Sequence, residues 1–306
     1  MHKGLEVVGA GCKPCGVSRP PAEDPRDADP RLDRFRLTPD GKCWWCGAVA
    51  TTREHKFKHS DLRRVATENG ARELSALHKQ SDFHSGPLRT LKRGDEVQWG
   101  LNLCAPCNNV KSQPFDVAYD RFVEFMLANG DTLWRRTSLD WAEVYGQGWR
   151  DGAANLARYF VKQFGCMLAT QRLPVPSDAI AFLDGAARCP SIALELWRDH
   201  RPIKLHRKER RAGDPVGMLE FIGLPATLAY TDGLRLTGAD YQCRLACLVF
   251  AVAWREGADL SSFHEGQVVR LPIINSRLRD RLAWLPVEAR GLAHRARIRW
   301  RGQADE

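Results

Sequence analysis

The chain of 306 residues has no long apolar run: the longest, residues 245–254, is about half of the ~20 needed to span a hydrocarbon core, so no transmembrane helix is expected. It has no apolar stretch or small-residue cleavage site behind Met1-His2-Lys3, so neither a secretory signal nor a transit peptide is expected, and the cytoplasm is the expected location. It lacks the compositions of collagen, coiled coil and wholly disordered chains. What is present, 43% hydrophobic and 27% charged residues, describes an ordinary globular protein of about two domains. Ten cysteines are many for a reducing compartment, yet six of them form three Cys-x-x-Cys pairs: Cys12/Cys15, Cys43/Cys46 and Cys104/Cys107. That spacing suits metal ligands better than long-range disulfides.

The net charge of +9 is unevenly placed. Residues 201–211 carry six basic side chains against one acid, and residues 276–301 carry eight arginines against two acids. The rest of the chain is therefore close to balanced. Such clustering suits a polyanionic partner, because Lys and Arg neutralise phosphates and release counterions, although a merely solvated surface looks the same in sequence. In the tail, Arg295, Arg297, Arg299 and Arg301 alternate with Ala296, Ile298 and Trp300. A strand of period two would put the guanidiniums on one face, to follow a backbone of phosphates or to serve as an ordinary charged edge.

The order of segments predicts an α+β protein in three parts. Residues 1–38 hold the first cysteine pair and a Pro- and Arg-rich linker. Residues 39–130 form a compact Cys- and His-containing unit ending in a helix marked by Val117, Phe122, Phe125 and Met126. Residues 131–306 form a separate α+β domain whose role the sequence does not state. In it, residues 141–169 and 192–200 read as helices; residues 216–222, 226–231, 245–254 and 267–274 read as strands, the third with a competing helical reading over 243–256.

The pairs Cys43/Cys46 and Cys104/Cys107 can close a tetrahedral four-thiolate zinc site, with Gly47 supplying backbone freedom for the knuckle. Cys12 and Cys15 compete for either place. Between the second and third pairs stands Thr52-Arg53-Glu54-His55, and directly after the third comes Asn108-Asn109-Val110-Lys111. This arrangement resembles the HNH, or ββα-metal, endonucleases that carry a four-cysteine zinc site, and is similar to the phage endonuclease VII type resolvases. The resemblance covers about residues 42–121 and implies a small zinc-stapled ββα-metal domain. It also implies that Glu54 and Asn108 are ligands of a catalytic Mg²⁺ or Mn²⁺ and that His55 is the general base. The middle Asn of the motif has no assigned counterpart; Gln98 and Asn102 stand nearest. A long interval before Cys104 implies an insertion at about 63–91, rich in basic residues and histidine (His78, His84, Arg89, Lys92, Arg93).

Phosphodiester hydrolysis needs those residue types together. A neutral imidazole with a pKa near 6.5 can take the proton of an attacking water at cellular pH, and carboxylate and amide oxygens are what hard divalent cations accept. Lys111, at the helix start, is placed to meet a substrate phosphate; Arg207, Lys208 and the four tail arginines are the other candidate nucleic-acid contacts. His59 is a further candidate for holding phosphate or metal. Trp44 and Trp45 are expected to be core aromatics. The expected activity is cleavage of DNA, by nicking or by double-strand scission, and the resemblance associates such chains with phage defence and mobile elements. Two other readings stay open, a non-catalytic zinc-knuckle nucleic-acid-binding protein and an RNA-directed nuclease. A protein partner or self-association through the C-terminal half is also open.

Overall fold

The computed structural model describes residues 30–62, 78–81, 84–87, 97–200, 203–204, 207–208, 211 and 222–274. Cys12, Cys15, the expected linker before residue 30, Arg89, Lys92, Arg93 and the tail arginines 295–301 lie outside the described residues.

Residues 42–49 form a tight knuckle: the Cys43 amide donates to the Ala48 carbonyl at 2.6 Å and the Gly47 amide to the Cys43 carbonyl at 2.9 Å. Gly47 adopts φ +77°, a conformation costly for any residue with a Cβ. Strand β1 (Thr52–His55) follows and pairs antiparallel with β4 (Gln98–Leu103). Between them in sequence lies the hairpin β2 (His78–Ser81) with β3 (His84–Pro87), inside the expected insertion. The β1–β4 register is irregular on both sides of Arg53, so that His55 lies opposite Gln98. Such bulges re-aim side chains.

Past Cys104 the chain makes a π-helical turn (Pro106–Lys111) and enters helix α1 (Gln113–Ala128). The buried stripe of α1 is Phe115, Ala118, Tyr119, Phe122, Val123 and Met126, at helical spacing; Val117 faces outward. A short helical turn (Gly130–Leu133) leads to β5 (Ser138–Asp140), which pairs with β10 (Val268–Arg270). The Asp140 carboxylate accepts from the Ala142 amide at 2.8 Å and so caps α2 (Trp141–Tyr145). Helices α3 (Trp149–Thr170) and α4 (Ser177–Leu183) follow.

The remaining strands form one five-stranded sheet in the order β11 (Ile273–Ile274), β6 (Ile192–Asp199), β9 (Leu248–Arg255), β8 (Leu236–Leu245), β7 (Ile222–Thr231), antiparallel except for the β11–β6 edge pair. Three expectations are corrected here. Residues 141–169, expected as one helix, are α2 and α3 separated by a turn at Gly146–Gly148, where Gly146 adopts φ +66°. Residues 192–200 were expected to be helical, but 192–199 are strand β6, whose alternation of buried and more exposed positions is lost over 196–199, where both faces are buried. Residues 267–274 form two short strands broken at Leu271-Pro272, not one. The helical alternative over 243–256 gives way to the β8–β9 hairpin.

Helix α3 lies at the centre. Tyr159 stacks on Tyr119 of α1 with ring centroids 4.1 Å apart, and Phe160 stacks on Phe250 of β9 at 4.0 Å. Trp99 of β4 reaches Tyr241 of β8 at 6.4 Å. A side chain at Gly165 would collide with the ring of Trp44, so a glycine in mid-helix lets the knuckle sit against α3. One apolar cluster runs from Cys43 and Trp45 through α1 and α3 to β9 and Leu271, continuous across the expected boundary near residue 130. Among the described residues, no helix is long and apolar enough to cross a membrane.

Candidate functional site

Cys43 and Cys46 on the knuckle and Cys104 and Cys107 at the β4–α1 junction bring their sulfurs within 4.8 Å of one another. Tetrahedral bonds of about 2.3 Å from one zinc require sulfurs about 3.8 Å apart, and the Cys46–Cys104 pair stands at 3.5 Å. The four therefore could hold a metal ion such as zinc. Cys43, Cys104 and Cys107 are buried and Cys46 is exposed. Burial pushes the Cys43 and Cys107 thiols up, while the Ala48 amide donating to its sulfur draws Cys46 down to about 7. Among the described residues these two pairs come together; Cys12 and Cys15 lie outside them.

The staple brings the end of β1 against the start of the helical segment. Asn108, the first residue after the fourth cysteine of the cluster, donates from Nδ2 to the Arg53 carbonyl at a long 3.4 Å, and its Oδ1 is buried with no hydrogen-bond partner among the described residues. The Asn108 amide donates to the Cys104 carbonyl at 3.0 Å, and its carbonyl accepts from Ser112 Oγ at 2.7 Å. A buried amide oxygen without a donor suits a cation ligand. Across the strand pair, the half-buried His55 places Nε2 3.5 Å from Gln98 Nε2. Gln98 thus stands beside the candidate base, whereas Asn102 is buried and donates to the Cys166 carbonyl (2.9 Å) and Thr170 Oγ1 (3.1 Å), which ties β4 to α3. His59 is half-buried.

Behind Glu54 stand two residues that the motif does not contain. Lys162 of α3, with a fully buried side chain, donates to Glu54 Oε2 at 3.0 Å and to Ser112 Oγ at 3.3 Å, with Asp116 Oδ2 at 4.0 Å. Burial, the largest influence, disfavours its charge, but the Glu54 and Asp116 carboxylates outweigh it and hold the ammonium above the usual lysine range. Gln163 uses its whole amide: Nε2 donates to Glu54 Oε1 at 3.2 Å and to the His55 carbonyl at 3.0 Å, and Oε1 accepts from Trp99 Nε1 at 2.7 Å. The available signal was a Lys-Gln pair set in the otherwise apolar stretch from Tyr159 to Leu168.

Lys111 does not project freely. Its Nζ lies 2.9 Å from Asp184 Oδ1 and above the Trp45 ring, and Trp45 Nε1 donates to the same carboxylate oxygen at 3.0 Å. Lys208 is exposed, and the exposed Arg207 carries its guanidinium over the Trp134 ring at 5.0 Å. Trp45 is buried and stacks on Phe115 as a core aromatic, while Trp44 is half-buried. Comparison with protein-family models, with curated proteins and with solved structures finds no match to this chain.

Proposed function

We propose that the chain is a metal-dependent endonuclease of the HNH (ββα-metal) kind that cleaves DNA, with a structural zinc at Cys43, Cys46, Cys104 and Cys107. The observation that supports it is the approach of Asn108, across 55 residues of sequence, to the strand bearing Glu54 and His55, with its side-chain oxygen buried and without a partner among the described residues. In this reading Glu54 and Asn108 hold Mg²⁺ or Mn²⁺, and the cation when bound stabilises the charge that develops on phosphate and leaving oxygen. His55 takes the proton of the attacking water. Gln98 Nε2, a donor, stands 3.5 Å from His55 Nε2 and would occupy that nitrogen's lone pair, so in this reading the contact opens before Nε2 takes the proton.

One observation favours the second reading, a zinc-knuckle nucleic-acid-binding protein without catalysis: both Glu54 oxygens already accept hydrogen bonds from α3. The two readings separate on supercoiled plasmid with Mg²⁺ or Mn²⁺. His55→Ala should lower the nicking rate by about 10²–10⁴-fold with zinc content and DNA affinity retained. Equal nicking by both proteins would remove His55 from the mechanism. Plasmid binding without cleavage by the wild type would favour the second reading, and preference for an RNA substrate in the same assay would redirect the first.

A further inference from the structure

We infer that Lys162 and Gln163 of α3 are the positioning residues of the site, holding the Glu54 carboxylate in its metal-binding orientation. The inference rests on the catalytic-metal reading above. A glutamate has three side-chain torsions, and a ligand free to sample them binds a cation weakly because its ordering opposes binding. Glu54 is fixed at both oxygens, Oε2 by the Lys162 ammonium at 3.0 Å and Oε1 by the Gln163 amide at 3.2 Å. Each carboxylate oxygen has a second lone pair, so these bonds leave acceptor capacity for a cation.

The holders are themselves held. Trp99 Nε1 fixes Gln163 Oε1 at 2.7 Å, and Gln163 Nε2 also grips the His55 carbonyl at 3.0 Å, so a single amide sets carboxylate and base relative to each other. Lys162 bonds Ser112 Oγ, whose hydrogen goes to the Asn108 carbonyl at 2.7 Å. One helix therefore connects to all three candidate residues from the side opposite their own chain segments. Neither Lys162 nor Gln163 touches a reacting atom in this arrangement.

The test uses the full-length, zinc-loaded protein and Mn²⁺ alone, with free Mn²⁺ followed by electron paramagnetic resonance. Gln163→Met keeps length and charge while removing both donors; it should weaken Mn²⁺ binding about 10–100-fold, the usual effect of removing a partner of a metal ligand. Zinc content and helicity should stay at the wild-type level. Lys162→Met removes a positive charge, which by electrostatics alone would tighten Mn²⁺ binding, so weaker binding is the signature of a lost hold. Should Gln163→Met fail to fold, Trp99→Phe keeps an aromatic ring while removing the donor that fixes the Gln163 amide and should weaken Mn²⁺ several-fold. Unchanged Mn²⁺ affinity in folded Gln163→Met or Trp99→Phe would overturn the inference while leaving the nuclease reading intact; tighter binding by Lys162→Met would reduce that residue to a counter-charge. A wild type that binds no Mn²⁺ would overturn both readings together.

Discussion

A buried ammonium is among the costlier groups a fold can contain, and Lys162 is tolerated because carboxylates on two different segments face it. Neither partner is visible from its neighbourhood in sequence. Glu54 precedes Lys162 by 108 residues, and a lysine in a helix ordinarily reads as part of the solvated face. Glu54, His55 and Asn108 were singled out by the resemblance of their surroundings to a known motif; Lys162 and Gln163 belong to no such pattern. His264 shows the same rule with the opposite sign. Burial beside Phe182 (5.2 Å between rings) and Phe263 lowers its pKa below the ordinary 6.5. A depressed histidine pKa means that the unfolded chain binds more protons once the pH falls below 6.5, so this contribution to stability is complete above 6.5 and declines as the pH falls toward the folded value. Urea denaturation should therefore show stability falling between pH 7 and 5.5 with a slope of up to about 1.4 kcal/mol per pH unit from this residue. His264→Gln should flatten that dependence; an equally steep profile would show that His264 does not govern it.

At the scale of elements, the knuckle and the β4–α1 junction meet through four sulfurs, and the strand pair they join has only a few residues on each side. With the Cys43 and Cys107 thiols pushed up by burial, zinc must displace protons to bind, so its affinity should fall as the solution is acidified. Cys107→Ser should take the zinc content from one per chain to near zero, measured by metal analysis, and lower the melting temperature by many degrees, as prolonged chelation of the wild type should. Cys12→Ser should leave zinc in place, and loss of zinc there would transfer the site to the N-terminal pair. The most legible element was α1, whose buried positions recur at helical spacing, whereas β8, which has no counterpart in the sequence reading, is buried at most of its positions. Strand β6 misled because Leu194, Leu196, Trp197 and Arg198 are all buried, on faces that local pattern cannot tell apart.

For the molecule as a whole, the sequence suggested a compact first unit ending near residue 130 and a separate second part, a division resting on where the helix marked by Phe122 and Met126 ends. The packing gives no such stop. Tyr119 and Phe122 of α1 have their aromatic partners in Tyr159, Phe160 and Phe250, and β4 is tied to α3 through Gly100, Asn102 and Thr170. A fragment ending at Asn129 should therefore expose these rings, bind the hydrophobic dye ANS, and lack a cooperative thermal transition even when zinc is supplied. A sharp transition in that fragment would mean that the first 129 residues stand alone. The basic cluster at 201–211 was legible as charge but not as placement, since Arg207 is engaged with Trp134, and the cluster at 276–301 lies outside the described residues.

The hold of α3 on Glu54 also orders events in time. During synthesis the motif residues 54, 55 and 108 leave the ribosome well before residues 162 and 163, so a nascent chain carries every residue of the recognised motif while Glu54 still lacks both of its donors. If that grip is what makes the carboxylate competent, a growing or prematurely terminated chain stays inert toward the nucleic acid around it. On the proposed nuclease reading, activity would then switch on only once α3 has been made and has docked, a built-in delay between translation and attack.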